Sequence, residues 1–314
     1  MPKYGPVNLP FSGLISFCRS PVSTNLETLE ADVAIFGVPW DAGTGLRPGT
    51  RFGPRSIREY SMPFASRLTQ RGGYWDIETK KRYLEGIRLV DCGDQDVLYL
   101  KVEETFEAIT ESVGKLLSAK AFPVILGGDH SITFPVVRAF QKYKPLHLIQ
   151  LDAHLDYHDS IEGVRLANGN PIKRISELDF VGEIIQIGIR GIRTWEHCYN
   201  DSISRGNKII TMSDFEEMGV AKVLGQVPDG GNVYVTIDID AFDPSIAPGT
   251  TTPTHGGMTY REMKTLLAGI ASRAKVVGFD LVCVNPYFDP VGITQMLAVS
   301  IIREFLGAIF DKKI

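Results

Sequence analysis

Three short segments hold most of the residues able to do chemistry. Residues 127–131 read GGDHS, 152–156 read DAHLD and 236–244 read TIDIDAFDP, and each follows an apolar run. In an extended chain, side chains at i, i+2 and i+4 point the same way. Asp152, His154 and Asp156 therefore converge, as do Asp238 and Asp240, and His130 completes a set of four carboxylates and two imidazoles. Oxygen donors mixed with imidazole suit a divalent ion such as manganese, nickel, iron or zinc. Four carboxylates carry about four negative charges, which two divalent ions would neutralise. Two ions roughly 3.5–4 Å apart share bridging carboxylates and hold water between them as hydroxide. A mononuclear site is the alternative. Taken singly, GGDH reads as a turn with a helix cap and DxDxxDP as a surface turn. Three such segments behind three buried strands read as one site, because buried charges need partners.

The elements that must position these residues can be read from the hydrophobic pattern. Strands are expected over 32–38, 86–93, 122–128, 146–153, 183–190, 208–213, 232–240 and 275–285. Helices are expected over 102–119, 131–142, 194–206, 216–227, 259–272 and 293–310, with Ser131 as N-cap of the second. Continuous apolar strands separated by amphipathic helices predict an α/β fold with a mainly parallel sheet covered on both faces. Ligands of such sheets bind beyond the carboxyl ends of the strands, where these charges collect. No linker, repeat or low-complexity tract divides the chain, so residues 1–314 are read as one domain. Residues 1–30 are read as an extension packed on that domain or at a subunit interface.

Composition narrows the partners. Hydrophobic residues make up 44% and charged residues 22%, with a net charge of −4, which gives no reason to expect nucleic acid or an anionic membrane. Cys18, Cys92, Cys198 and Cys283 form no CxxC and read as free thiols of a reducing compartment. The first residues show no signal-peptide pattern and the chain no transmembrane run, so a cytoplasmic location is expected. GVPWDAGTG and GIRGIRT are glycine-containing strand ends, but neither forms a nucleotide-binding glycine motif.

The three segments closely resemble the signatures of the ureohydrolase family, which comprises arginases, agmatinases, guanidinobutyrases, guanidinopropionases, formiminoglutamases and guanidine hydrolases. Flanking stretches resemble its agmatinase-like branch: GVPWDAGTGLRPGTRFGPRSIR at 37–58, DCGD at 91–94, IGIRG at 187–191 and APGTTTP at 247–253. The resemblance implies a three-layer α/β/α arginase-like fold, usually assembled as trimers or hexamers. It implies one metal held by His130 and Asp156, the other by His154 and Asp240, with Asp152 and Asp238 bridging. Manganese is the implied metal, and nickel the alternative. The implied reaction is attack of metal-bound hydroxide on a guanidinium carbon, giving urea and an amine.

Two positions depart from the family pattern. Cys283 stands in DLVCVNP where a guanidinium-binding Glu is usual, and Asn168 stands in ANGNPIKR where many members carry His. The expected substrate is therefore non-standard: guanidine, a substituted guanidine or a biguanide rather than agmatine or guanidinobutyrate. A non-catalytic partner subunit in a mixed oligomer is the alternative. Cys283, Asn168 and Trp40 are the candidate substrate contacts, and Cys283 is read as shaping the pocket rather than as a nucleophile. Trp40 would either stack on a cation or pack under its loop. His158 is the candidate for proton transfer, with an exposed loop histidine as the plainer reading. Asp159 and Glu162 read as solvated carboxylates. His147, His197 and His255 read as structural or solvent-facing, without convergent partners.

Overall fold

The computed structural model describes residues 13–65 and 73–311. Its centre is an eight-stranded sheet of β1 (Val33–Val38), β4 (Leu89–Asp94), β5 (Phe122–Gly127), β6 (Leu146–Leu151), β7 (Val181–Ile189), β8 (Lys208–Thr211), β9 (Asn232–Asp238) and β10 (Lys275–Val282). The order across the sheet is β4-β1-β5-β10-β9-β6-β7-β8, and every ladder is parallel. Flanking helices are α1 (Gly53–Ser61), α2 (Val102–Ser118), α3 (Thr133–Arg138), α4 (Pro171–Ser176), α5 (Glu196–Ser204), α6 (Met212–Leu224), α7 (Tyr260–Arg273) and α8 (Ile293–Ile309). A hairpin of β2 (Tyr74–Asp76) and β3 (Lys81–Tyr83) stands apart. The inner strands are buried along nearly their whole length, as a sheet covered on both faces requires.

Register decides where the chemistry goes. Leu126, Leu281, Ile237 and Leu151 form one row across β5, β10, β9 and β6. Asp238 and Asp152 each follow that row by one residue, and GGDHS begins one residue past Leu126. The three charged segments therefore leave the sheet at one level of its carboxyl edge. Gly128 is fixed by close approach, because a Cβ there would lie 1.7 Å from the carbonyl oxygen of Trp40.

Several boundaries differ from the sequence expectation. Ser131 does not cap the helix after β5. Asp129 does, accepting the Ser131 N–H at 2.9 Å. The expected 131–142 helix is broken into a 3-10 turn at His130–Ile132, α3, and a second turn at Gln141–Tyr143. Helix α6 starts earlier than expected because Thr211 and Asp214 form a capping box. Helix α1 has no apolar stripe to betray it. Its inward Arg58 is buried and pairs with Asp91 at 2.8 Å and Asp94 at 2.6 Å, so a polar residue occupies the core-facing side. Residues 13–30 pack along β4, with buried Phe17 donating its N–H to Asp91 at 2.7 Å and Val22 bridging the same residue. Residues 1–12 of the expected extension lie outside the described residues. Among the described residues no helix is long and apolar enough to cross a membrane.

Candidate metal centre

The six acid and imidazole residues meet at the carboxyl edge of β5, β9 and β6. His130 follows the turn after β5, and its Nδ1 lies 3.0 Å from Asp152 Oδ2, 3.0 Å from Asp156 Oδ2 and 3.5 Å from Asp238 Oδ2. His154 follows β6, and its Nδ1 lies 3.0 Å from Asp240 Oδ2 and 3.6 Å from Asp152 Oδ1. The two oxygens of Asp152 thus face two different imidazoles. The carboxylates and His130 are buried, and His154 keeps a small exposed edge. Asp156 has a backbone φ of 47° and Cys283 one of 67°. Left-handed conformations of non-glycine residues cost on the order of 1–3 kcal/mol each and gather at functional sites.

Whether these residues fit a metal can be judged from one orphaned atom. Asp280, fully buried on β10, accepts hydroxyl protons from Thr133 at 2.9 Å, Tyr234 at 2.9 Å and Thr236 at 2.6 Å. Thr236 has given its proton to Asp280, so its oxygen accepts from His130 Nε2 at 2.9 Å. That assigns the ring hydrogen to Nε2 and leaves Nδ1 as a lone pair among carboxylate oxygens, buried and without a hydrogen-bond partner. Such a contact holds only with positive charge in the gap, either a proton or a cation. The donor set fits a divalent cation with imidazole and carboxylate ligands.

Without a cation, the protons take up this charge. Burial disfavours a proton on His154, but Asp240 and Asp152 outweigh it and push the ring up to about 12. Burial likewise opposes a charged His130, and contacts with Asp152 and Asp156 overcome it, raising the ring well above its ordinary value. Burial raises Asp156 to about 6, with repulsion from Asp152 adding to the effect. Asp238 is raised by burial, then by Asp240 and Asp152. Asp152 goes the other way: burial opposes its charge, but His130 and His154 hold it below the carboxylate range.

Backbone and hydroxyl donors pin the cluster. Asp152 accepts from His154 N at 2.6 Å and Gln150 Nε2 at 2.7 Å, and Asp240 from Ala153 N at 3.1 Å and Thr252 Oγ1 at 3.2 Å. Thr252 gives the APGTTTP segment a place in the site, and Thr254 just beyond it has its Oγ1 3.3 Å from His154 Nε2. Sequence reasoning missed Thr236 and Asp280, because they sit inside two apolar strands and meet only across the sheet.

The cluster lies at the base of an open cavity of about 370 Å³, lined by Gly43, His154, Asp156, Asn168 and Asp238 among others. Asn168 Oδ1 accepts from His130 N at 2.6 Å. Cys283 is 1% exposed and lies 4.0 Å from Asn168 Oδ1. Burial and then neighbouring Asp238 push its thiol well above the ordinary range, so it is not primed as a nucleophile. Asn168 and Cys283 thus touch each other beside His130.

Other candidates fall elsewhere. Trp40 is corrected from substrate contact to core residue: it is 1% exposed, stacked on Tyr99 at 5.9 Å and edge-on to Phe106 at 6.0 Å. Asp159 pairs with Arg165 and Arg174, and Glu162 is exposed. His147 Nδ1 accepts from Glu183 N at 3.1 Å. His158 is no free loop histidine. It lines the cavity with its Nδ1 3.2 Å from Cys198 Sγ. His197, read as lacking convergent partners, converges on the same pair.

Comparison with known proteins agrees with this geometry. Residues 31–307 match the family described as the arginase family. The chain is 35% identical over 303 residues to the mitochondrial guanidino acid hydrolase of Homo sapiens, covering 95% of this chain and 83% of that protein. It is 33% identical over 300 residues to the mitochondrial agmatinase of Gallus gallus, covering 94% and 85%. The solved structure of proclavaminate amidino hydrolase from Streptomyces clavuligerus matches with a TM-score of 0.86 and 32% identity, covering 96% of this chain and 98% of that one.

Proposed function

The chain belongs to the arginase family, and on that premise we propose that it is a dinuclear metal-dependent hydrolase releasing urea and an amine from a guanidino compound. The observation that carries the reading is the split of Asp152, whose two oxygens face His130 and His154 separately. In this reading His130 and Asp156 would hold one ion and His154 and Asp240 the other, with Asp152 and Asp238 placed to serve both. Manganese is the first choice of metal and nickel the second. When bound, such a pair of ions supplies a water deprotonated near neutral pH and a Lewis acid beside it. The protein's own part is orientation. Asp280 and Thr236 fix the His130 ring, and Asn168 holds its backbone.

The substrate follows from the neutral corner. A carboxylate meets two N–H donors of a guanidinium at once, whereas a thiol is a weak acceptor. A charge-assisted hydrogen bond contributes about 1.5–3 kcal/mol, roughly ten- to a hundredfold in affinity. We therefore assign guanidine, a substituted guanidine or a biguanide as substrate, with agmatine and arginine as poor ones. The relatives named guanidino acid hydrolase and agmatinase support the guanidino class. A homo-oligomer, trimeric or hexameric, in the cytoplasm completes the reading. A non-catalytic subunit of a mixed oligomer would have no use for six convergent donors. The test is a screen for urea or amine release from agmatine, guanidinobutyrate, guanidine and a biguanide, with manganese- and nickel-loaded protein. No release from any of them would sink the activity, and efficient agmatine hydrolysis would sink the substrate assignment.

A further inference from the structure

We propose that His158, His197 and Cys198 form a third metal site, for a borderline divalent cation such as zinc, at the rim of the cavity. This goes beyond the hydrolase reading and does not depend on it. One donor atom from each residue lies within 4.8 Å of the other two. Cys198 Sγ and His158 Nδ1 already stand 3.2 Å apart. Zinc–sulfur bonds of about 2.3 Å and zinc–nitrogen bonds of about 2.0–2.1 Å put ligand atoms of a tetrahedral site ~3.5 Å from one another. Only His197 must draw in, and it is exposed, so its side chain is free to do so.

The other two donors are held in advance. Cys198 is 2% exposed in the first turn of α5. The backbone of His158 is tied at both ends, its N–H donating to Gly169 O at 3.0 Å and its carbonyl accepting from Asn170 Nδ2 at 2.7 Å. Trp195 packs edge-on against the His158 ring at 4.7 Å and lies 5.4 Å from the His197 ring. It walls one side, while His158 and Cys198 line the cavity on the other. Two imidazoles and a thiolate make a softer set than the carboxylate-rich centre, so the two sites select different ions. On binding, the Cys198 thiol gives its proton to solvent and nothing is oxidised or reduced. Three protein ligands leave a fourth position open toward the cavity. The bound ion ties the loop bearing His158 to α5, beside the entrance.

The experiment titrates Co2+ into the intact protein with manganese in excess, following near-ultraviolet sulfur-to-cobalt charge-transfer absorption and counting bound metal. We expect the absorption to rise with one equivalent of cobalt per chain. It should vanish in Cys198→Ser and persist in Cys283→Ser, which removes the thiol beside the carboxylate centre. His197→Ala alters an exposed residue and keeps the test available should Cys198→Ser fail to fold. It should weaken cobalt binding at least about tenfold. Absence of the absorption in the unaltered protein, its survival in folded Cys198→Ser, or unchanged affinity in His197→Ala would overturn the site.

Discussion

The two sides of the cavity base are built on opposite terms. On one side six ionisable groups are buried together, and each has its geometry fixed by backbone amides, hydroxyls or another member of the set. On the other, neutral Asn168 lines the cavity and the buried thiol of Cys283 stands behind it, 4.0 Å from its Oδ1. The charged side pays an electrostatic penalty that a proton or a bound cation removes, so its chemistry is fixed by its donors. The neutral side carries no such constraint, and in the proposed reading it sets which guanidino group fits.

The largest blow to the charged side is loss of a bridging carboxylate. Asp152→Ala or Asp238→Ala should lower metal affinity by more than the 10–100-fold that ligand-supporting residues contribute, and turnover with it. Metal counting and a urea assay check this, and near-normal turnover with two ions retained in either variant would dissolve the dinuclear assignment. Next come the residues that hold His130 without touching the cavity. Thr236→Val or Asp280→Asn should weaken metal binding about 10–100-fold with the fold intact by circular dichroism. Unchanged affinity in both would show that the relay does not orient the ring.

The neutral side should respond in the opposite direction. Cys283→Glu supplies a carboxylate at this corner, and it should raise kcat/KM for agmatine or guanidinobutyrate by about ten- to a hundredfold. Loss of activity on every substrate, in a variant that still binds two ions, would mean that this corner shapes the centre rather than the specificity.

The smallest expected effect is a pH dependence. In metal-free protein the proton on His154 is held up to about 12, against about 6.5 in an unfolded chain. Its contribution to stability is therefore complete below about 6.5 and is lost as pH rises toward 12. A bound cation supplies the same positive charge without a proton. The rise in Tm on adding manganese should thus be larger at about pH 8.5 than at about pH 6, by on the order of a few degrees. Thermal melts with and without metal at both values check this, and an equal rise would show that protons and metal do not compete.

Much of this was legible in the chain itself. The eight strands of the sheet follow from local period, which depends only on near neighbours. The same holds for the long helices. Asp152, His154 and Asp156 do meet as expected, but beyond the end of β6 and with Asp156 at a φ of 47°, so the loop conformation and not strand alternation brings them together. Helix α1 escaped because its inward side carries Arg58, whose partners Asp91 and Asp94 come from another element. Trp40 gave two readings until burial against Tyr99 and Phe106 chose one. The Asp280–Thr236–His130 relay needs three strands in register, and the His158–His197–Cys198 cluster needs α5 folded back against the loop after β6. Sequence determined which residues carry charge and which strand each of them follows, because those are properties of a few adjacent residues. Only the tertiary structure decided which groups meet across the sheet, because strand order, register and loop return are set by packing the whole core at once.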